Sequence, residues 1–242
     1  PRSTHCISSA ASDVYKRQPM DILEAIKKRH SVRGYLSKDV SEDVVKDILE
    51  TSKFSPSGVN SQPWKVYVVM GEARNKLVKE ACEKFDKGEI ETEEYQVYPS
   101  KESMPDWYKA RQRACGFGLY GALGIERDQM DKRMAWAKKN YEFFDAPVGI
   151  FVTVHKSVGP NGWGHVGHFI QSICLAAVGK GLGTCLQEAW AGFPKLLKKH
   201  LEYGDDEILW CGISLGYEDQ DHPANSFRTE REQFDSFAKL LK

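Results

Sequence analysis

Arg29, Ser31 and Arg33 alternate in the stretch "RHSVRGY", immediately after a segment patterned as a helix. In extended chain, residues two apart face the same side. Ser31 and Arg33 then project together, and Arg29 reaches in from the helix end. Two guanidiniums and a hydroxyl suit a phosphate, because arginine presents planar, paired donors. The plainer reading is a basic helix end favoured by the macrodipole, and Lys27 and Lys28 fit it.

Three further stretches could meet a ligand. "SPSGVNSQPW" joins a helix pattern to a strand pattern, and its short polar residues and Gly58 let backbone N–H groups approach a flat molecule. Gln187 and Glu188 stand at the end of the strand-like "GTCLQEA", a place where polar groups often meet ligands. "NSFRTER" near the C-terminus supplies Arg228.

Other motifs carry less. "GFGLYG" at 116–121 matches the letters of a dinucleotide fingerprint, but the segment before it is helical in pattern and no strand leads into it. Glycine-assisted helix packing is the better account. "GKGLG" at 179–183 reads as a helix C-terminus. His165 and His168 lie three apart on one predicted helix, yet no nearby Asp, Glu or Cys completes a metal set. No nucleophile elbow or phosphate-binding P-loop is present.

The elements that must position these groups follow from periodicity. Residues 21–29 place Ile22, Ala25 and Ile26 on one helical face. Ser41 is an expected N-cap for a helix with the stripe Val44, Val45, Ile48 and Leu49. "KVYVVM", "PVGIFVTVH", "GTCLQ" and "DEILWCGISLGY" read as strands. Helices are expected over 72–87, 106–121, 127–140, "GHVGHFIQSICLAAVGKGL" and 193–201. Residues 88–105 keep no periodicity, and irregular stretches of that length are often functional. Few strands, separated by helices in mixed order, predict an α+β fold rather than regular βαβ winding.

The chain has 242 residues, 41% hydrophobic and 28% charged, with zero formal net charge. No global basic field argues for nucleic acid, and no apolar run approaches the roughly 20 residues of a membrane span. Six cysteines lack zinc or redox spacing; buried free thiols are expected, which favours a reducing, cytoplasmic setting. Residues 1–19 have neither a secretory apolar run nor core periodicity. They are expected to be a non-native or disordered leader resembling adaptor or vector read-through, with translation starting at Met20 and one domain over 20–242.

Taken in order, "RHSVRGY", "SPSGVNSQPW", "GLGTCLQEA" and the late arginine resemble the FMN-dependent nitroreductase family. "YEFFDAPVGIFVT", "FGLYGALGI" and "NSFRTER" bring the resemblance nearest to its nitrobenzoate-reductase-like branch. It spans Met20 to the C-terminus.

The resemblance implies a mixed β-sheet flanked by helices, an intertwined homodimer, and FMN held at the subunit interface. It places Arg29 and Arg228 on the FMN phosphate, His30 and Ser31 along the same segment, and Arg33 near flavin N1 and O2. Pro56, Ser57, Gly58 and Asn60 are implied to come from the other subunit, with Gln187, Glu188 and Ala189 opposite. Leu186 stands where some relatives have proline, and Ser226 where they have lysine.

The resemblance implies that FMN carries the chemistry, so no residue need act as a nucleophile, and electrons from NADH or NADPH are expected to pass in ping-pong fashion to a small aromatic acceptor such as a nitroaromatic. Tyr95, Tyr98, Trp107, Tyr108, Phe117 and Tyr120 fall where relatives cover that acceptor. A reductive dehalogenase or flavin-destructase relative on the same fold, or a non-catalytic FMN-binding sensor, are the alternatives.

Overall fold

A computed structural model describes residues 20–242; the expectations for residues 1–19 and for Cys6 lie outside them. The elements run α1 (Ile22–Lys28), α2 (Glu42–Ser52), β1 (Trp64–Met70), α3 (Gly71–Asp86), α4 (Asp106–Ala122), α5 (Met130–Lys138), β2 (Val148–His155), α6 (Pro160–Gly179), β3 (Gly183–Gln187), α7 (Pro194–Leu201), β4 (Glu207–Gly216), and the one-turn helices α8 (Pro223–Ser226) and α9 (Phe234–Phe237). The fold is α+β, as the pattern predicts.

The strands form one sheet in the order β1-β2-β4-β3, every neighbouring pair antiparallel. Among the described residues the parallel component of the expected mixed sheet is a single bridge, Ser31 to Thr184. β2 is buried along nearly its whole length, so its side chains feed two cores. Ile150, Val152 and Val154 join Ile48, Phe169, Ile173 and Ile213 beneath α2 and α6. Phe151 points the other way, to Leu77, Phe143, Trp190, Phe193 and Leu197 beneath α3 and α7. Two-sided burial is why this strand is apolar at successive positions instead of alternating.

Local chemistry sets the helix ends. Ser41 caps α2 by accepting from the Val44 N–H at 3.4 Å, as its type predicts. Asp21 caps α1 through the Leu23 and Glu24 N–H groups. α6 begins earlier than its apolar pattern suggests, because Pro160 occupies its first turn, where a fixed φ suits a helix. It ends before Gly181, which takes φ +75°.

α5 stops short of the expected residue 140. The chain tightens over Lys139–Asp145, and Phe143 and Phe144 adopt left-handed φ of 55° and 53°. Both rings are buried by this turn. On α1 only Ala25 of the expected apolar face is buried within the protomer; Ile22 and Ile26 are exposed. The five cysteines among the described residues are free: Cys174, Cys185 and Cys211 are buried, Cys82 and Cys115 half-buried. No helix among the described residues is long and apolar enough to cross a membrane.

Candidate functional site

α1 ends at Lys28, and the chain leaves it extended. Val32 then buries against the sheet at 1% exposure, its N–H donating to the Thr184 carbonyl at 3.0 Å. That anchoring turns its neighbours Ser31 and Arg33 to the opposite side, into a cleft of about 640 Å³. The cleft collects Lys27, Arg29, Arg33, Arg228 and Arg231, with His30, Ser31, Thr229, Cys115, Ile26 and Phe227 completing its walls. No carboxylate among the described residues lines it. Cations gathered in a partly enclosed cleft focus a positive field on whatever enters, so the chemistry on offer is recognition of an anion that also carries apolar surface.

Local contacts aim these cations. The Arg228 guanidinium donates to the Phe227 carbonyl at 3.0 Å and to the Asn225 carbonyl. Arg231 donates to the Thr229 hydroxyl at 2.6 Å. Arg33 donates weakly to the Ser31 carbonyl at 3.5 Å. His30 spans the Lys28 carbonyl and the Glu218 carboxylate, each at 3.0 Å. Across Phe227 and Arg228 a second cleft of about 530 Å³ continues to Arg111, but there Glu230 and Glu232 enter the lining, and Arg111 is paired to Glu232 at 2.6 Å.

The structure therefore brings together Arg29, His30, Ser31, Arg33 and Arg228. The other proposed ligand residues lie elsewhere in the protomer. Pro56, Ser57, Gly58 and Asn60 occupy the loop after α2, and none lines the arginine cleft. That loop is held in an unusual shape: Val59, Asn60 and Gln62 all take positive φ. Two contacts tie it to α6. The Gly58 N–H donates to His165 Nε2 at 3.1 Å, and the Ser55 hydroxyl donates to that of Ser172 at 2.7 Å.

Gln187, Glu188 and Ala189 lie at the end of β3. Gln187 is buried and donates through Nε2 to the Asn140 carbonyl at 2.6 Å, while its Oε1 has no partner. Glu188 accepts from the Tyr98 hydroxyl, and the Ala189 carbonyl from that of Tyr141 at 3.3 Å. Burial first, and then the Glu188 carboxylate, push the Tyr98 phenol well above its ordinary range. Its proton therefore stays on, and Tyr98 remains a donor to Glu188.

The irregular stretch 88–105 lies over this region. Tyr95 packs on Trp163 with ring centroids 4.9 Å apart, and Glu91 caps α7 by accepting from the Lys195 N–H at 2.6 Å. Trp107 and Phe117 on α4 are exposed. Tyr108 packs against Trp107 at 5.7 Å, and Tyr120 lies beneath the Arg133 guanidinium.

"GFGLYG" lies inside α4, and a Cβ at Gly118 would meet the Phe227 ring at 2.1 Å, so that glycine serves packing. The His165 and His168 rings are 6.3 Å apart, and no metal-holding cluster exists among the described residues.

Sequence reasoning missed Lys27 and Arg231 as walls of the cleft. Lys27 looks like an ordinary cation for the helix dipole. Arg231 sits inside the quoted "NSFRTER", and nothing in one dimension says that it turns back toward Arg29.

Known proteins resemble this chain in both sequence and fold. The family model described as "Nitroreductase family" matches residues 26–217. The chain is 36% identical over 217 residues to a 4-nitrobenzoate reductase of Nocardioides sp. (strain LMS-CY), covering 89% of this chain and 88% of that one. It is also 36% identical to a nitrobenzene nitroreductase of Ectopseudomonas oleovorans, over 90% and 96% of the two chains. The FMN and NADPH-dependent nitroreductase NfnB from Sphigopyxis sp. strain HMH superposes with a TM-score of 0.87 at 32% identity, covering 92% of this chain and all of that one (100%).

Proposed function

The chain belongs to the nitroreductase family, and from that premise we propose that it is an FMN-dependent NAD(P)H oxidoreductase that reduces nitroaromatic acceptors. The observation that carries the reading is the arginine cleft. Arg29 and Arg33 reach it from the segment after α1 and Arg228 and Arg231 from the C-terminal segment, with no acid among the described residues that line it. A flavin mononucleotide fits that chemistry: its phosphate needs clustered guanidiniums, and its ring needs apolar contact such as Phe227 offers.

On this reading Arg29, Arg228, Arg231 and Lys27 hold the phosphate, and Ser31 adds a hydroxyl. Arg33 supplies a fixed cation to the ring, favouring the charge that reduction leaves there. Bound FMN supplies two-electron transfer, from NADPH or NADH and then to the acceptor in turn.

The second half of the site comes from another copy of the chain. Val59 and Phe54 stand fully or largely exposed on the strained loop. Ile22, Leu23 and Ile26 of α1, with Phe237, Leu240 and Leu241 of the tail, leave apolar surface open on the protomer. Apolar surface of this extent is what an obligate dimer covers. In the homodimer, Pro56, Ser57, Gly58 and Asn60 close over the partner's flavin, and Gln187, Glu188 and Ala189 approach it from the opposite side.

Purified protein is expected to be yellow, to release FMN on acid treatment, and to consume NADPH or NADH only when 4-nitrobenzoate or nitrobenzene is supplied. A colourless protein that FMN does not reconstitute, or a flavoprotein with no acceptor-dependent turnover, would overturn the reading.

A further inference from the structure

Asn225 is a buried polar side chain that the reading above leaves without a role. It lies on α8 at 3% exposure. Its Oδ1 accepts from the Arg33 N–H at 2.7 Å, across 192 residues of chain. Its Nδ2 donates to the Gly34 and Asp219 carbonyls, each at 2.8 Å. Its own carbonyl accepts from the Arg228 guanidinium. The amide's acceptor and both donors are thus engaged, and they join the two walls of the arginine cleft. The junction is close: a Cβ at Gly34 would come within 2.2 Å of the His222 ring.

We infer that Asn225 is a positioning residue for phosphate recognition: by fixing Arg33 against Arg228 it makes the cleft prefer a flavin that carries a phosphate over one that lacks it. The inference rests on the proposal that this cleft holds the FMN phosphate. No other side chain among the described residues bonds both the Arg33 backbone and the 219–228 segment. Aspartate would keep the shape and the bond from Arg33. It would also set an oxygen against two carbonyls and a negative charge beside the arginines. Serine would leave the Gly34 and Asp219 carbonyls without donors.

The test uses apoprotein of the wild type, Asn225→Asp and Asn225→Ser, each titrated with FMN and with riboflavin by fluorescence quenching. The wild type should prefer FMN. In both variants that preference should fall by about tenfold or more, the scale of a lost charge-assisted contact, while riboflavin affinity, which can lose only the Arg33 contribution to the ring, falls much less. Should the aspartate variant fail to fold, the serine variant and Gly34→Ala, which wedges the same junction while keeping the Asn225 side chain, carry the test. An unchanged preference in folded variants, or an equal loss for both flavins, overturns the inference. A wild type that binds FMN and riboflavin equally overturns the phosphate reading of the cleft instead.

Discussion

The Gly58 N–H points at His165 Nε2 from 3.1 Å, and a Cβ on Gly58 would stand 2.9 Å from Cε1 of the same ring. An imidazole nitrogen that accepts a hydrogen bond carries no proton, so the neutral ring holds its proton on Nδ1. The contact pins a loop in which Val59, Asn60 and Gln62 all take positive φ, a conformation that costs on the order of 1–3 kcal/mol at a β-branched residue. His165→Ala should free the loop at a cost of about 1 kcal/mol. Limited proteolysis should then cut near residues 57–62 faster than in the wild type. His165→Asp, which restores an acceptor, should slow the cut again. Equal cutting rates in all three would remove the role.

Arg228 should carry a large share of FMN retention. Arg228→Ala removes a charge-assisted contact worth about 1.5–3 kcal/mol, roughly 10- to 150-fold in Kd. Titration of apoprotein with FMN reads this directly. Because Arg231 and Lys27 remain in the cleft, binding should weaken without vanishing. An unchanged Kd would move the phosphate elsewhere.

Two glycines of "GFGLYG" should respond in opposite directions. Nothing lies within 4 Å of a Cβ at Gly116, so Gly116→Ala should stabilise α4 by up to about 1 kcal/mol through helix propensity. At Gly118 the Cβ would strike Phe227 at 2.1 Å. Gly118→Ala should therefore destabilise by about 1–3 kcal/mol. It should also weaken FMN binding, since Phe227 adjoins Arg228. Thermal unfolding of the two variants side by side checks the contrast.

Glu207 should make stability depend on acid. Burial pushes its carboxyl up, but hydrogen bonds from Thr153, Lys65, Tyr67 and the Gly204 N–H outweigh burial and hold it below the ordinary range. The Lys65 ammonium is 2.9 Å away and the Tyr67 hydroxyl 3.0 Å. A carboxyl whose folded pKa is depressed adds stability that is fully present above the unfolded value, about 4.3. That stability is lost as pH falls through the folded value. Glu207→Gln should cost about 1.5–3 kcal/mol at pH 7, and the gap to the wild type should narrow as pH drops below 4. A gap that stays constant from pH 7 to pH 3 would show that the carboxylate charge contributes nothing.

Much of the architecture was legible from the residues. The four strands, the Ser41 cap and the helix-ending glycine turn follow from rules that act within a few residues. Local order fails where tertiary packing pays a local cost. Phe143 and Phe144 take left-handed backbone because burying two rings outweighs the strain. α6 starts at a proline that the hydrophobic pattern does not mark.

The site divides the same way. Ser31 and Arg33 could be placed on one side of an extended chain from spacing alone, with Arg29 reaching in from the helix end, because side chains alternate in extended chain and Val32 is the apolar one of the set. That these three could meet an anion together was thus readable in the sequence. Which further cations join them, and what holds the two ends of the chain together, was decided by the fold. Asn225 bonds Arg33 across 192 positions of chain, and Arg231 joins Arg29 in the same cleft; relations over such separations leave no periodic trace for sequence reading to find.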